Sequence, residues 1–208
     1  MRSRPYGLFF WLYAAAAIGM TTPEFPVPED APPEALERYR TDVVVIVDIS
    51  RQELAHYRDG KLVKVYPVST SEKGVGNREG SLQTPTGLHV VREKIGQQAP
   101  LLAIFKSRQP TGELASIETA PRHLDKDLVT TRILWLSGLE PGVNQGGDVD
   151  SYQRYIYIHG TPEEGLIGQP ASHGCVRMKN RDIVELFSQI PEGALVWIVE
   201  HSRIPGKT

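Results

Sequence analysis

The stretch from Val43 to Ile49 reads VVVIVDI, and it constrains this chain more than any other. All but one of its residues are β-branched, and such side chains are stiff in a helix but pack well on a pleated sheet. A continuous apolar run of this kind predicts a buried strand. A buried strand needs partners, and the sequence offers them. Glu53 to Tyr57 and Lys61 to Val68 flank Asp59-Gly60, a strong hairpin turn signal. Leu88 to Lys94 follows the turn Thr84-Pro85-Thr86-Gly87. Leu101 to Phe105, Arg132 to Leu136, Tyr152 to Ile158 and Ala194 to Glu200 read as further strands. The chain holds one cysteine, so no internal disulfide can replace packing. Its 208 residues suit one domain of roughly 150 residues plus tails.

Between these strands lie loops and one clear helix. Ser69 to Thr84 is polar and Gly-rich, and Gly74 and Gly76 lack the spacing of a phosphate loop. Gly138 to Gly147 is another Gly-rich loop. Gly96 to Thr131 is the least readable part, with Pro110-Thr111-Gly112 and Ala120-Pro121 expected to break regular structure. Asn180 is placed to N-cap a helix, with Asp182 in its first turn and Ile183, Val184, Phe187 and Ile190 as its apolar stripe. Pro191-Glu192-Gly193 ends that helix. The expected fold is mainly β, a sandwich or barrel with one or two short helices.

The ends of the chain read differently. In residues 1–20, Arg2 and Arg4 precede an uncharged, mostly apolar run that finishes in small alanines, the pattern of an export signal. A cleaved signal is the first reading, and an uncleaved inner-membrane anchor the second. Either implies the periplasm or cell envelope. Residues 21–40 are rich in proline and acidic residues and form an extended linker. The folded domain then spans 41–201, and 202–208 is a tail. A net charge of -2 from nearly balanced acids and bases leaves no nucleic-acid footprint. The domain reads as a monomer.

The chemistry concentrates in the stretch HGTPEEGLIGQPASHGCVRM, from His159 to Met178. It holds the only cysteine, Cys175, and two of the six histidines, His159 and His173. In an oxidising compartment a lone thiol is a liability unless it is buried or used. A thiol becomes a nucleophile as thiolate, and a nearby imidazole can take its proton. His159 sits at a strand end on the same parity as Tyr155 and Tyr157, which favours it as the base. His173 then shapes the turn that presents Cys175. The second nitrogen of His159 needs an acceptor. The Gly160 carbonyl is the first candidate, and Asp148 or Asp150 the alternative. The amides of Gly174 and Cys175 can point at a developing oxyanion, because Gly174 has no side chain to block it. Arg177 can hold a substrate carboxylate or favour the thiolate. Ser172 and Tyr157 complete the expected substrate-binding wall. His159, His173 and Cys175 would suit zinc by type, but they lack CxxC or HxxxH spacing, and His123, Asp125 and Asp127 form no matching cluster. No metal or cofactor is expected.

Residue order separates this segment from papain-like enzymes, where Cys precedes His, and the caspase Gln-Ala-Cys-x-Gly signature is missing. Instead, His159 followed by Ser172-His173-Gly174-Cys175-Val176-Arg177 resembles the L,D-transpeptidase family with its YkuD-type catalytic domain. Upstream, the Asp59-Gly60 hairpin, Ser69-Thr70 and Thr84-Pro85-Thr86-Gly87 extend the resemblance over roughly Thr41 to Glu200. Arg177 stands where many members carry Asn. The resemblance implies a YkuD-like β-sandwich or barrel. It also implies attack by Cys175 on a peptidoglycan stem peptide, between diaminopimelate and D-alanine. A thioester would form, D-alanine would leave, and an amine would accept the acyl group. An L,D-carboxypeptidase or crosslink-cleaving hydrolase on the same scaffold is the alternative, followed by a non-catalytic wall-binding module.

Overall fold

The computed structural model describes residues 42–201. The expected signal at 1–20, the linker at 21–40 and the tail at 202–208 lie outside the described residues. The chain is mainly β, as expected, and its strands close into a ring. β1 (Val43–Asp48), β2 (Glu53–Arg58) and β3 (Lys61–Ser69) run antiparallel in sequence. β4 (Gly87–Ile95) pairs with both β7 (Val129–Gly138) and β10 (Leu195–Val199). β8 (Tyr157–Gly160) joins β7 to β9 (Val176–Met178), and β9 returns to β3. The circuit β4-β10-β1-β2-β3-β9-β8-β7 closes because β4 also pairs with β7. Two of its pairings are parallel, β1 with β10 and β8 with β9.

The VVVIVD strand sits where its composition demands. Every residue of β1 is buried. Val43, Val45 and Val47 face a core shared with Leu54, Ile158, Val176 and Ile198. Val44 and Ile46 face a second cluster with Leu195 and Trp197. Burying each such side chain stabilises the fold by roughly 1.5–3 kcal/mol. Helix α1 (Asn180–Gln189) contributes Ile183, Leu186 and Phe187 to the first core and packs on β7 and β8. Its stripe therefore runs through Leu186, with the expected Val184 only half-buried.

Four expectations need correction. Pro110-Thr111-Gly112 does not break structure; it lies inside β6 (Gln109–Leu114), which pairs with β5 (Ala103–Lys106). β6 is exposed along its length and pairs only with β5, so it is an edge that tolerates proline. The turn between them places Ser107 and Arg108 at φ 48° and 67°, the left-handed pair of a two-residue hairpin. The strand expected at Tyr152 begins only at Tyr157. Asp150 accepts the amides of Tyr152 and Gln153 at 3.0 Å each, which turns the chain first. Residues 176–178, unread as a strand, form β9. Asn180 is not the cap either. Lys179 holds that position, and Asn180 is buried as the first helical residue. The Asn180 amide donates to the Thr161 carbonyl at 2.7 Å, and its oxygen accepts the Thr130 and Thr131 hydroxyls. It ties α1 to β7 and to the loop after β8.

Candidate active site

The parallel pairing of β8 with β9 builds the site. Ile158 is level with Val176, His159 with Arg177, and Gly160 with Met178. Ile158, Val176 and Met178 belong to the inner core. Side chains alternate along a strand, so Tyr157, His159, Cys175 and Arg177 share the opposite face. Ile133 and Trp135 of β7 continue that face. The segment that resisted sequence reading, 96–131, covers it: Phe105 packs into the same cluster, and Glu118 exchanges backbone bonds with Pro162 and Gly165.

The loop 161–174 carries the chain from β8 to β9, and it ends in a turn that only glycine fits. Gly174 has φ 125°, and a Cβ there would sit 3.2 Å from the Gln83 carbonyl oxygen. Arg154 donates to that same carbonyl at 2.7 Å and fixes the neighbouring loop through Asn77. Cys175 follows, half-buried. Its Sγ accepts the Tyr157 amide at 3.4 Å and donates to the Tyr155 carbonyl at 3.4 Å. Burial pushes the thiol up to about 12, while the Tyr157 amide, Arg177 and Arg154 oppose that rise.

His159 is buried, with Nδ1 2.8 Å from the Gly160 carbonyl oxygen. Burial lowers its pKa to about 4, against the opposing pull of Asp127 and the Gly160 carbonyl. A Gly160 carbonyl contact means Nδ1 carries the proton, which leaves Nε2 unprotonated and able to accept one. Asp150 is committed to the turn before β8, bonding the amides of Gly146, Tyr152 and Gln153. His173 is exposed, and its Nδ1 lies 2.8 Å from Asp127 Oδ2. The edge of the Tyr157 ring meets His159 and Trp135, so Tyr157 is packed into the wall.

Three sequence expectations change here. Ser172 is fully buried, and its hydroxyl accepts the Gly174 amide at 3.2 Å while donating to the Cys175 carbonyl at 2.6 Å. It staples the turn, with its hydroxyl engaged by the backbone on both sides. The Gly174 amide is thus engaged in the resting turn. Arg177 does not offer a free guanidinium to a substrate carboxylate. Its side chain is 1% exposed, with Nη1 2.7 Å from Glu163 and Nη2 2.7 Å from Asp127. Nη2 meets Asp127 as an ion pair without hydrogen-bond alignment, and Nε has no acceptor. Nothing in the sequence marks these partners: Glu163 carries no motif, and Asp127 reads only as a metal-ligand candidate beside His123 and Asp125. Asp127 lies 46 residues before His173, and no local pattern marks it. Burial raises the Asp127 carboxyl, but the Arg177 charge and the His173 bond outweigh that and hold it below its usual range. Among the described residues no histidine, cysteine and carboxylate cluster could hold a metal ion.

Comparison with known proteins places the sequence in a family. The family model described as the L,D-transpeptidase catalytic domain, YkuD, matches residues 42–198. The chain belongs to the L,D-transpeptidase family. Among curated L,D-transpeptidase relatives, "Probable L,D-transpeptidase YcfS" of Escherichia coli strain K12 is 27% identical over 157 residues, covering 74% of this chain and 43% of that protein. "Probable L,D-transpeptidase YbiS" of the same strain is 45% identical over 47 residues, covering 23% and 15%. The chain thus spans less than half the length of these relatives. A solved L,D-transpeptidase from Mycobacterium smegmatis superposes with TM-score 0.47 at 17% identity, covering 76% of this chain and 58% of that one.

Proposed function

We propose that this member of the L,D-transpeptidase family is a cysteine acyltransferase acting on peptidoglycan stem peptides. The observation that carries the reading is the β8–β9 register, which sets Cys175 and His159 on one face with the turn at Gly174 presenting the thiol. At neutral pH the resting pair is thiol and neutral imidazole, because burial holds both groups uncharged. His159 Nε2 takes the thiol proton as Sγ attacks the carbonyl carbon between diaminopimelate and D-alanine. The Cys175 amide donates to the developing oxyanion, joined by the Gly174 amide once it releases Ser172. Arg154 and Arg177 favour the negative charge on sulfur. The tetrahedral centre collapses to a thioester, the carbon–nitrogen bond breaks, and His159 returns its proton to the departing D-alanine nitrogen. An amine from a second stem then attacks the thioester and passes its proton through His159 to the leaving sulfur. The substrate agrees with the export signal read in residues 1–20.

The test is incubation of the protein with a disaccharide-tetrapeptide, with products followed by mass spectrometry. Crosslinked dimer supports transfer to an amine. Tripeptide with free D-alanine alone reassigns the acceptor to water. A lack of both turnover and thioester adduct rejects the reading. Cys175→Ala should lose all turnover. His159→Ala should slow acylation far more than His173→Ala, and the reverse order would move the base to His173.

A further inference from the structure

The buried state of Arg177 leaves a question at the substrate end of the site: which cation meets the carboxylates of a stem peptide. Arg177 is already shared between Glu163 and Asp127 and has 1% of its side chain exposed. A second guanidinium stands on the same face. Arg108, at the tip of the β5–β6 hairpin, lies with Cζ 4.6 Å from the Trp135 ring centroid and 5.0 Å from that of Tyr155. Its Nη1 donates to the Tyr157 hydroxyl at 3.4 Å. The backbone amide of that tyrosine donates to Cys175 Sγ. Tyr155, which supplies the carbonyl on the other side of the thiol, is 52% exposed. Arg108 therefore stands half-buried on an aromatic floor whose tyrosines contact the thiol through their backbone.

We propose that Arg108 grips a stem-peptide carboxylate flanking the scissile bond; this rests on the function proposed above. Among the described residues Arg108 has no carboxylate partner, unlike Arg51, Arg58, Arg122 and Arg177. Its one long bond to a tyrosine leaves most of the five guanidinium N–H donors free. Lying over two ring faces restricts the guanidinium, so a carboxylate can be met bidentately with less further ordering. Arg108 also lines a cavity of about 720 Å³ with Gln97, Gln98, Phe105 and Pro110, which gives the rest of a peptide chain room on the hairpin side.

The experiment compares three tetrapeptide stems on the full chain and on Arg108→Met: unmodified, carboxamidated at the terminal D-alanine, and carboxamidated at the diaminopimelate side chain. On the unmodified stem Arg108→Met should raise KM about 10–100-fold with a smaller change in kcat, as for loss of a charged hydrogen bond. One carboxamide should lose that sensitivity, and it identifies the carboxylate that Arg108 reads. Arg108→Lys should recover part of the affinity, because it keeps the charge but not the fork. Equal loss on all three stems would assign Arg108 to hairpin structure and overturn the proposal, as would a change below about threefold on every stem. If the parent chain turns nothing over, the proposed function fails, and binding still tests Arg108. In Cys175→Ala protein, adding Arg108→Met should weaken the unmodified stem by the same factor, and unchanged affinity would refute the grip.

Discussion

Glu163→Gln is the substitution with the clearest expected cost. The Glu163 carboxylate is 3% exposed and accepts two hydrogen bonds from its two oxygens, with His123 Nδ1 3.4 Å from Oε2. Oε1 accepts the Leu124 amide at 2.6 Å, and Oε2 accepts Arg177 Nη1 at 2.7 Å. Glutamine fills the same volume but offers one acceptor oxygen. Its NH₂ group must face one of these two donors, and Arg177 loses one of its two counter-charges. Removing one member of a buried ion pair costs roughly 3–5 kcal/mol. Asp127 remains at Nη2, which favours the lower end, about 3 kcal/mol. For a domain of this size that corresponds to a fall in Tm of roughly 6–12 °C. Thermal unfolding followed by circular dichroism reads it directly. The double variant Glu163→Met with Arg177→Met should melt closer to the parent than Glu163→Gln does, since replacing a buried pair by apolar groups costs less than breaking it. A Glu163→Gln loss within about 1 kcal/mol would refute the reasoning, because it would mean the buried guanidinium needs only Asp127.

Acid should weaken the fold through buried histidines. Burial lowers His89 to about 4, with its Nε2 2.9 Å from the Ser151 hydroxyl. A depressed histidine contributes stability that is complete above about 6.5 and is lost as pH falls towards about 4, because the unfolded chain binds the proton first. Over that window His89 accounts for about 3 kcal/mol, and His159 adds a loss of the same sign. Urea unfolding across pH 7 to 4 should show this slope, and His89→Gln should reduce it; a parent stability flat over the window would contradict the buried-neutral assignment. Cys175 should alkylate slowly. With its thiol pushed up to about 12, iodoacetamide should modify Cys175 at least about tenfold more slowly at pH 8 than a free cysteine. The rate should climb beyond the usual thiol range, and a plateau near pH 8–9 would show the thiol is not held neutral.

Much of the fold was legible because its strands carry local signals. β1 announced itself by β-branching, and the β2–β3 hairpin by Asp59-Gly60. The β5–β6 hairpin did not, because Ser107-Arg108 adopts the left-handed turn without glycine or asparagine to mark it. Asn180 had the right type and place for a cap, yet tertiary bonds to Thr161 and Thr130 used its side chain instead. At the site, strand parity put His159 on the face that Cys175 shares, and Gly160 lay close enough in sequence to be named as its acceptor. The burial of Arg177 is not legible, because it depends on Asp127 and Glu163, which come from loops with no periodicity. A charge network formed by loops leaves no pattern in a single sequence; only the closed sheet beneath it brings those loops together.

The parallel pairing of β1 with β10 sets a time order on the chain. Val44 is level with Leu195, so the ring closes between segments about 150 residues apart. During synthesis β1 emerges early, apolar on both faces, and its second edge waits for nearly the whole domain before β10 exists. Contacts of such long sequence separation form slowly, because loop entropy is lost before they are gained. Until then β1 presents a sticky, unpaired edge. Nascent chains halted before Leu195 therefore lack the partner that closes the ring and leave an apolar strand open to self-association.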